Sequence, residues 1–122
     1  MRNLKNTISL KKKFDFKKTL NYGRYAAGEY ISVYVLKRKS TEDQEQNLFG
    51  ICVSKKHGNS VIRNKLKRWV REAYKEIEPK INKGYKIIVL YKKNIVVNNI
   101  SFHVLKNELD ECLKEAELYI NE

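Results

Sequence analysis

The fold of this chain is decided by residues 53–76, VSKKHGNSVIRNKLKRWVREAYKE. On a helix from about Ser60 to Glu78, at about 100° per residue, the apolar side chains fall on one side and the basic side chains on the other. The apolar side consists of Ile62, Leu66, Trp69, Val70, Ala73 and Ile77. The opposite side, which we name the basic face, consists of Arg63, Asn64, Lys67, Arg68, Arg71 and Lys75. One side is therefore predicted to join a core and the other to stay accessible.

The sequence marks both ends of this helix, and the charge of the helix indicates a binding role. Gly58, Asn59 and Ser60 predict a turn and a cap that accepts hydrogen bonds from the first free N–H groups, and Pro79 disfavours helix at the residue before it. A solvated surface is the usual role of charged helix positions. Here no acid interrupts the basic face, so its repulsion is uncompensated until a polyanion binds.

The charge of the whole chain favours nucleic acid as that polyanion. The net charge is +12 over 122 residues; residues 1–100 hold 24 Lys and Arg against 8 Asp and Glu, whereas residues 101–122 hold 2 against 6. A membrane surface would need an exposed apolar helix face, and the helices here use theirs for a core. We expect one domain, residues 1–122, in the cytoplasm, without a membrane partner and with nucleic acid as its ligand.

Residue types that would carry catalysis are scattered. Cys52 and Cys112 lie far apart in apolar settings, which predicts buried, reduced thiols rather than a metal site. His57 and His103 have no partner suited to nucleophilic catalysis, and the acids of the first hundred residues form no ligand motif. The sequence therefore favours a binding module over an autonomous catalyst.

The amino-terminal part offers a second candidate surface. Residues 1–13 are basic and predict a flexible arm, and Asp15 and Gly23 predict the start and end of a short helix, Phe16 to Tyr22. Phe16 is suited to the core. An aromatic ring flanked by lysines is equally suited to stacking on an unpaired base, so both roles stay open.

The remaining elements predict a mixed sheet. Strands are expected at Glu29–Lys37, Leu48–Ser54 and Tyr85–Tyr91, and a final helix with an acidic side from about Ser101 to Asn121. Tyr34 alternates against the aliphatic residues of its strand, which places it on the other side of the sheet. The expected fold class is an α+β sandwich.

The pattern SKK-x-GN followed by RN-x-x-KR-x-x-R closely resembles the signature of the bacterial ribonuclease P protein component. It consists here of Ser54-Lys55-Lys56, Gly58-Asn59, Val61, Arg63-Asn64, Lys67-Arg68 and Arg71-Glu72. Asp15-Phe16, Gly23, Tyr34 and the apolar strand before Lys92 also match that family, whereas Leu20 stands where its members usually have a second aromatic residue.

The resemblance implies a ribonucleoprotein in which an RNA subunit holds the catalytic site and removes the 5′ leader from precursor tRNA. It implies Mg²⁺ bound mainly by the RNA and strengthened by the protein. It also implies a sandwich of three helices and about four strands, with a left-handed βαβ crossover like that of a ribosomal-protein domain. Elementary chain geometry favours the right-handed form, which is the hand of about 98% of such connections.

The resemblance also assigns residues to two separate surfaces. Those expected to bind the RNA subunit are Lys55, Lys56, Asn59, Arg63, Asn64, Lys67, Arg68 and Arg71. Those expected to bind the leader are Lys12, Lys13, Phe16, Lys17, Leu20 and Tyr34. No catalytic residue, metal ligand or obligate protein partner is expected on the protein, and the Asn64 amide either orders the first helical turn or contacts RNA. The alternatives are a ribosome-associated or general RNA-binding module and a self-sufficient nuclease.

Overall fold

The computed structural model describes residues 4–120, which form a five-stranded mixed sheet with helices on both faces. In sheet order, the strands are β1 (Thr7–Ser9), β4 (Asn47–Cys52), β5 (Tyr85–Tyr91), β3 (Ile31–Lys37) and β2 (Arg24–Ala27). The helices are α1 (Lys13–Tyr22), α2 (Ser60–Ile77) and α3 (Phe102–Glu115), with short 3₁₀ turns at Lys55–His57, Glu78–Lys80 and Val97–Asn99. The predicted α+β sandwich with three helices is confirmed, with five strands instead of about four.

The two faces of the sheet bury different sets of side chains. In β5, Ile87 and Val89 join the larger core with residues of α2 and α3, whereas the alternate residue Ile88 joins a smaller cluster with Leu10 and Leu48. Helix α1 lies on this second face, because the Asp15 carboxylate contacts the Lys86 ammonium group at 2.9 Å. The sheet is therefore covered by two helices on one face and by one short helix on the other.

Helix α2 connects the parallel strands β4 and β5 and lies where the periodicity predicted it. Leu66, Val70, Ala73 and Ile77 are buried. Tyr74 was not predicted for the core, yet it is fully buried and stacks on Phe49 with ring centroids 4.0 Å apart. The hand of the crossover stays a prediction.

Residues 7–9, predicted to belong to a flexible arm, instead pair in parallel with β4. The Glu78 carboxylate accepts hydrogen bonds from the backbone N–H groups of Lys5 and Asn6, at 3.1 and 3.3 Å, and the Thr7 hydroxyl lies 2.8 Å from the Tyr74 hydroxyl. Sheet pairing and long-range hydrogen bonds therefore order these positions, although a lysine run follows them. Residues 1–3 of the predicted arm lie outside the described residues.

Other element boundaries also differ from the prediction. Helix α1 begins at Lys13, so Asp15 lies in its first turn and pairs with Lys86 instead of capping the helix. Strand β2 was not predicted. Helix α3 ends at Glu115 because Glu117 takes a left-handed conformation, φ 61°, and turns the chain. Asn121, the predicted helix end, is outside the described residues.

Two predicted strand ends lie inside turns. Strand β3 begins at Ile31, two residues later than predicted, because the backbone N–H groups of Tyr30 and Ile31 donate to the buried Glu108 carboxylate. Strand β4 ends at Cys52, before the turn that Ser54 begins. Across residues 4–120, none of the helices has the length and apolar character that a membrane span requires.

Candidate RNA interface

The basic face of α2 points away from the core. Asn64, Arg68, Arg71 and Lys75 are exposed, and Arg63 and Lys67 are half-buried. Within residues 4–120, no arginine or lysine of this face forms an ion pair, so the acidic residues of α3 do not neutralise it. The predicted separation of the apolar and cationic sides of α2 is therefore present, and the cations of the basic face are accessible to phosphate groups.

Arg63 carries an unsatisfied donor within this face. Its Nε atom is buried and has no hydrogen-bond partner among the described residues. A buried donor without an acceptor is unfavourable, and most such groups in proteins are paired. An RNA phosphate oxygen would supply the acceptor, and the planar guanidinium group suits a bidentate contact.

The turn that carries Lys55 and Lys56 is held by His57. The Ser54 backbone N–H donates to His57 Nδ1 at 3.0 Å, so the ring proton lies on Nε2, which donates to the Lys92 carbonyl at 2.8 Å. The Ser54 hydroxyl accepts from the Lys56 N–H at 3.2 Å. The turn is thus fixed to the end of β5, and both lysine side chains stay exposed. The sequence signal for this role is Ser54 three residues before His57, which is the spacing of a capping box.

Asn59 and Asn64 have different roles in the structure. The Asn59 side-chain oxygen accepts from the Ile62 N–H at 3.0 Å and caps α2. The Asn64 side chain is exposed and has no hydrogen-bond partner in the described part of the chain. Asn59 therefore orders the first helical turn, and RNA contact by the Asn64 amide stays a prediction.

Phe16 lies on the other face of the sheet, against Gly50. A Cβ atom at position 50 would lie 2.7 Å from Phe16 Cζ, so the ring depends on the missing side chain. Phe16 and Tyr34 are half-buried against the smaller core cluster. Each ring therefore packs on the core and also keeps an accessible part.

One cleft joins Phe16 to the basic face. Its volume is about 440 Å³. It is lined by Ser9, Leu10, Phe16, Phe49, Gly50, Ile51, Lys67 and Arg71. Strand β1 pairs with β4 only as far as Phe49, whose carbonyl accepts from the Leu10 N–H at 3.0 Å, so the later part of β4 forms the sheet edge inside the cleft. The two surfaces predicted as separate thus meet at this edge, which we name the edge cleft.

Tyr34 extends the aromatic surface away from Phe16. Its ring centroid lies 5.1 Å from that of Tyr25, which is 57% exposed. Burial raises the pKa of the Tyr34 phenol above its ordinary value, with a smaller contribution from Tyr25, so the hydroxyl stays protonated and can donate at neutral pH. The pair offers two rings of the kind that stack on unpaired bases.

The other predicted leader residues lie on or beside the helix that carries Phe16. Lys13, Lys17 and Leu20 are exposed on α1, whereas Lys12 lines a different pocket near Lys39. Among residues 4–120, no three His, Cys, Asp or Glu side chains are grouped so that they could hold a metal ion.

Comparisons with known proteins agree on one family. A family model described as Ribonuclease P matches residues 4–117. The Listeria innocua ribonuclease P protein component is 35% identical over 111 residues, covering 91% of this chain and 89% of the relative. The relative from Clostridioides difficile is 32% identical, covering 93% and 96%. The solved Staphylococcus aureus RNase P protein has a TM-score of 0.77 and 31% identity, covering 92% and 97%, and the Thermotoga maritima protein 0.74 and 30%, covering 94% and 99%.

Proposed function

The chain belongs to the ribonuclease P protein family, and from this premise we propose how its surfaces share the binding of RNA. As a ribonuclease P protein component it is a subunit of the tRNA-processing holoenzyme, and its partner is the RNA subunit. The observation that carries this proposal is the unpaired basic face, which meets an aromatic surface at the edge cleft.

We assign the basic face and the Lys55–Lys56 turn to the catalytic RNA. Arg63, Arg68 and Arg71 engage phosphates through planar guanidinium groups, and the lysines add point charges. Such contacts give affinity with little dependence on sequence, which suits a subunit that serves many substrates. The rigid turn made by His57 presents both lysines at a fixed distance from α2.

We assign the surface of Phe16 and Tyr34 to the single-stranded 5′ leader of precursor tRNA. Unpaired bases stack on accessible aromatic rings, and the nearby lysines of α1 hold the phosphates between them. Leu20 is 38% exposed and contributes apolar contact without an aromatic face. At the edge cleft, Lys67 and Arg71 stand opposite Phe16, so the leader lies directly beside the RNA subunit.

The protein acts on Mg²⁺ indirectly in this proposal. A strongly cationic protein repels a divalent cation, and the described residues offer no ligand cluster. Stronger Mg²⁺ binding in the holoenzyme therefore arises from the ordering of phosphate ligands in the RNA when the basic face binds.

Reconstitution tests this division of function. The protein is mixed with the RNA subunit and precursor tRNA at low Mg²⁺, and accurate 5′ cleavage is measured with the complex and with each component alone. Stimulation that requires the RNA subunit supports the proposal. No stimulation indicates a general RNA-binding module, and cleavage by the protein alone indicates a nuclease.

Substrate affinity tests the leader surface. Phe16→Ala is expected to weaken binding of precursor tRNA by the holoenzyme about fivefold or more, and binding of mature tRNA far less. Equal losses for both substrates would mean that Phe16 acts only in the core.

A further inference from the structure

We propose a second site for single-stranded RNA at the amino end of α1, which holds an unpaired nucleotide of the leader further from the cleavage site than those on Phe16. This proposal rests on the proposed leader surface. The site, which we name the Phe14 pocket, has a volume of about 540 Å³. Its lining includes Lys11, Lys12, Phe14, Asp15, Lys39 and Glu42. Ser9 lines both this pocket and the edge cleft, so the two sites adjoin.

Phe14 provides an open aromatic face. Its side chain is 69% exposed, although it stands at the start of a helix that packs on the sheet. The Lys18 ammonium group lies 5.8 Å from the ring centroid. An exposed ring with cations around it has the composition of a platform on which a base stacks while its phosphate is bound.

The acids of the pocket do not oppose an anion, because buried cations neutralise them. The Lys86 ammonium group, 3% exposed, lies 2.9 Å from the Asp15 carboxylate and 3.5 Å from that of Glu42. Arg38 Nε adds a second contact to Glu42 at 3.4 Å. Within the described residues, the pocket lysines Lys11, Lys12 and Lys39 form no ion pair, and neither does Lys18 beside the Phe14 ring. The accessible charge of the pocket is therefore positive.

The backbone of Lys39 is held by hydrogen bonds before any ligand binds. The Lys39 backbone N–H donates to the Glu42 carboxylate at 3.0 Å, and its carbonyl accepts from the Gln44 amide at 2.6 Å. The Lys39 ammonium group meets that of Lys18, and this contact lowers the pKa of Lys18. A phosphate that binds between the Lys18 and Lys39 ammonium groups would relieve the repulsion between these two like charges.

The position of the pocket in the fold favours the distal part of the leader as its ligand. It lies where β3 ends and β4 begins, whereas the Lys55–Lys56 turn assigned to the RNA subunit follows the other end of β4. A strand that leaves Phe16 through the edge cleft passes Ser9 and enters the Phe14 pocket. A base-paired helix cannot offer a free base face to Phe14, so single-stranded RNA fits the ring and duplex RNA does not.

Leader length separates this site from the others. Holoenzymes with Phe14→Ala or Lys39→Ala are titrated with precursor tRNAs whose leaders grow one nucleotide at a time. We expect about five- to tenfold weaker binding of the long leaders and no change for the shortest leader or mature tRNA. Phe14→Tyr should keep the affinity and Phe14→Leu should lose it, because stacking needs the ring. Tyr22→Ala removes a similarly exposed aromatic, 76% against 69% for Phe14, from the same helix outside the pocket and serves as the matched control.

Two outcomes overturn the proposal. One is unchanged affinity of the Phe14→Ala holoenzyme at every leader length, and the other is an equal loss for mature tRNA. Phe16→Ala on the same substrates locates the failure: a leader-dependent loss for Phe16 but not for Phe14 overturns the Phe14 pocket alone, and a loss for neither overturns the leader surface as well. Thermal unfolding of each variant verifies that the exposed substitutions leave the fold intact.

Discussion

At the scale of single residues, the site depends on side chains whose importance comes from their neighbours. Tyr74 is adjacent to the apolar stripe of α2 but was not predicted for the core. Its hydroxyl can be buried because it has a partner in Thr7, and that partner is distant in sequence. Asp15 suited a cap by residue type, yet the buried Lys86 draws it into an ion pair. Phe16 could be singled out from its flanking lysines, whereas its dependence on Gly50 required coordinates.

Gly50→Ala is expected to disturb the leader surface without unfolding the protein. The added methyl group would meet the tip of the Phe16 ring at 2.7 Å, and the ring can move. Leader-dependent affinity should fall as it does in Phe16→Ala, while affinity for the RNA subunit and the thermal midpoint stay close to those of the unmodified protein. A Gly50→Ala holoenzyme with full leader affinity would show that the position of Phe16 does not matter.

Alkaline pH is expected to destabilise the fold through Tyr74. Burial raises the pKa of its phenol to about 12, against an ordinary value of 10.0. The folded state therefore favours the protonated form, and the resulting stabilisation is complete below pH 10 and is lost as the pH rises toward 12. Urea unfolding at a series of pH values should show this loss, and the free energy of unfolding should fall less steeply with pH for Tyr74→Phe. Equal slopes would mean that other groups control the alkaline transition.

At the scale of elements, α2 was the most predictable part of the chain. Its 3.6-residue periodicity identified both faces, and Asn59 and Pro79 marked its ends to within a residue. The separation of its faces needs no tertiary information, because local geometry alone produces it. Strands β1 and β2 are short and lie at the sheet edges, so three or four residues gave no comparable pattern.

The cap of α2 separates a structural role from RNA contact. Asn59→Ala should lower the free energy of unfolding by about 1 kcal/mol, because the Ile62 N–H loses its acceptor. Asn59→Asp should keep the stability and still weaken RNA binding, since a carboxylate stands beside the phosphates. Chemical unfolding and RNA titration measure the two effects; if Asn59→Asp binds as well as the unmodified protein, position 59 lies outside the interface.

The basic face predicts a specific salt dependence. Arg68→Ala and Arg71→Ala should each weaken binding to the RNA subunit and reduce the slope of log affinity against log salt by about one unit per lost phosphate contact. Lys114→Ala, on α3 and paired with Asp110, is the matched control and should leave the slope unchanged. An unaltered slope for either arginine variant would exclude a direct phosphate contact at that residue.

At the scale of the whole molecule, charge and connectivity are organised differently. The polarity of charge was readable from composition, since the last 22 residues are acidic and the rest are basic. The ties between distant segments were not readable. Glu78 binds Lys5, Asn6 and Thr7 across more than 70 residues, and no local pattern announces that contact. Likewise, the order of the strands depends on which strands pair in the fold, and the local propensity of each segment does not indicate it.

Removal of the Glu78 carboxylate should release the amino-terminal strand. Glu78→Ala leaves three donors of residues 5–7 without their acceptor and is expected to lower the free energy of unfolding by about 2 kcal/mol. Trypsin should then cleave faster after Lys5. Glu76→Ala, which removes an exposed pair with Lys106, should cost little. Similar stability of the two variants would mean that β1 is held by its sheet pairing alone.

The half-covered margin of β4 has a consequence for how copies of this protein behave toward one another. Exposed strand margins commonly recruit a strand from a neighbouring molecule and so promote aggregation. Here Lys67 and Arg71 flank that margin, and an identical, equally cationic neighbour is repelled from it. The same side chains that attract a polyanion thus protect the exposed margin of β4 from pairing with another copy. The protein would become more prone to self-association when those charges are removed or heavily screened.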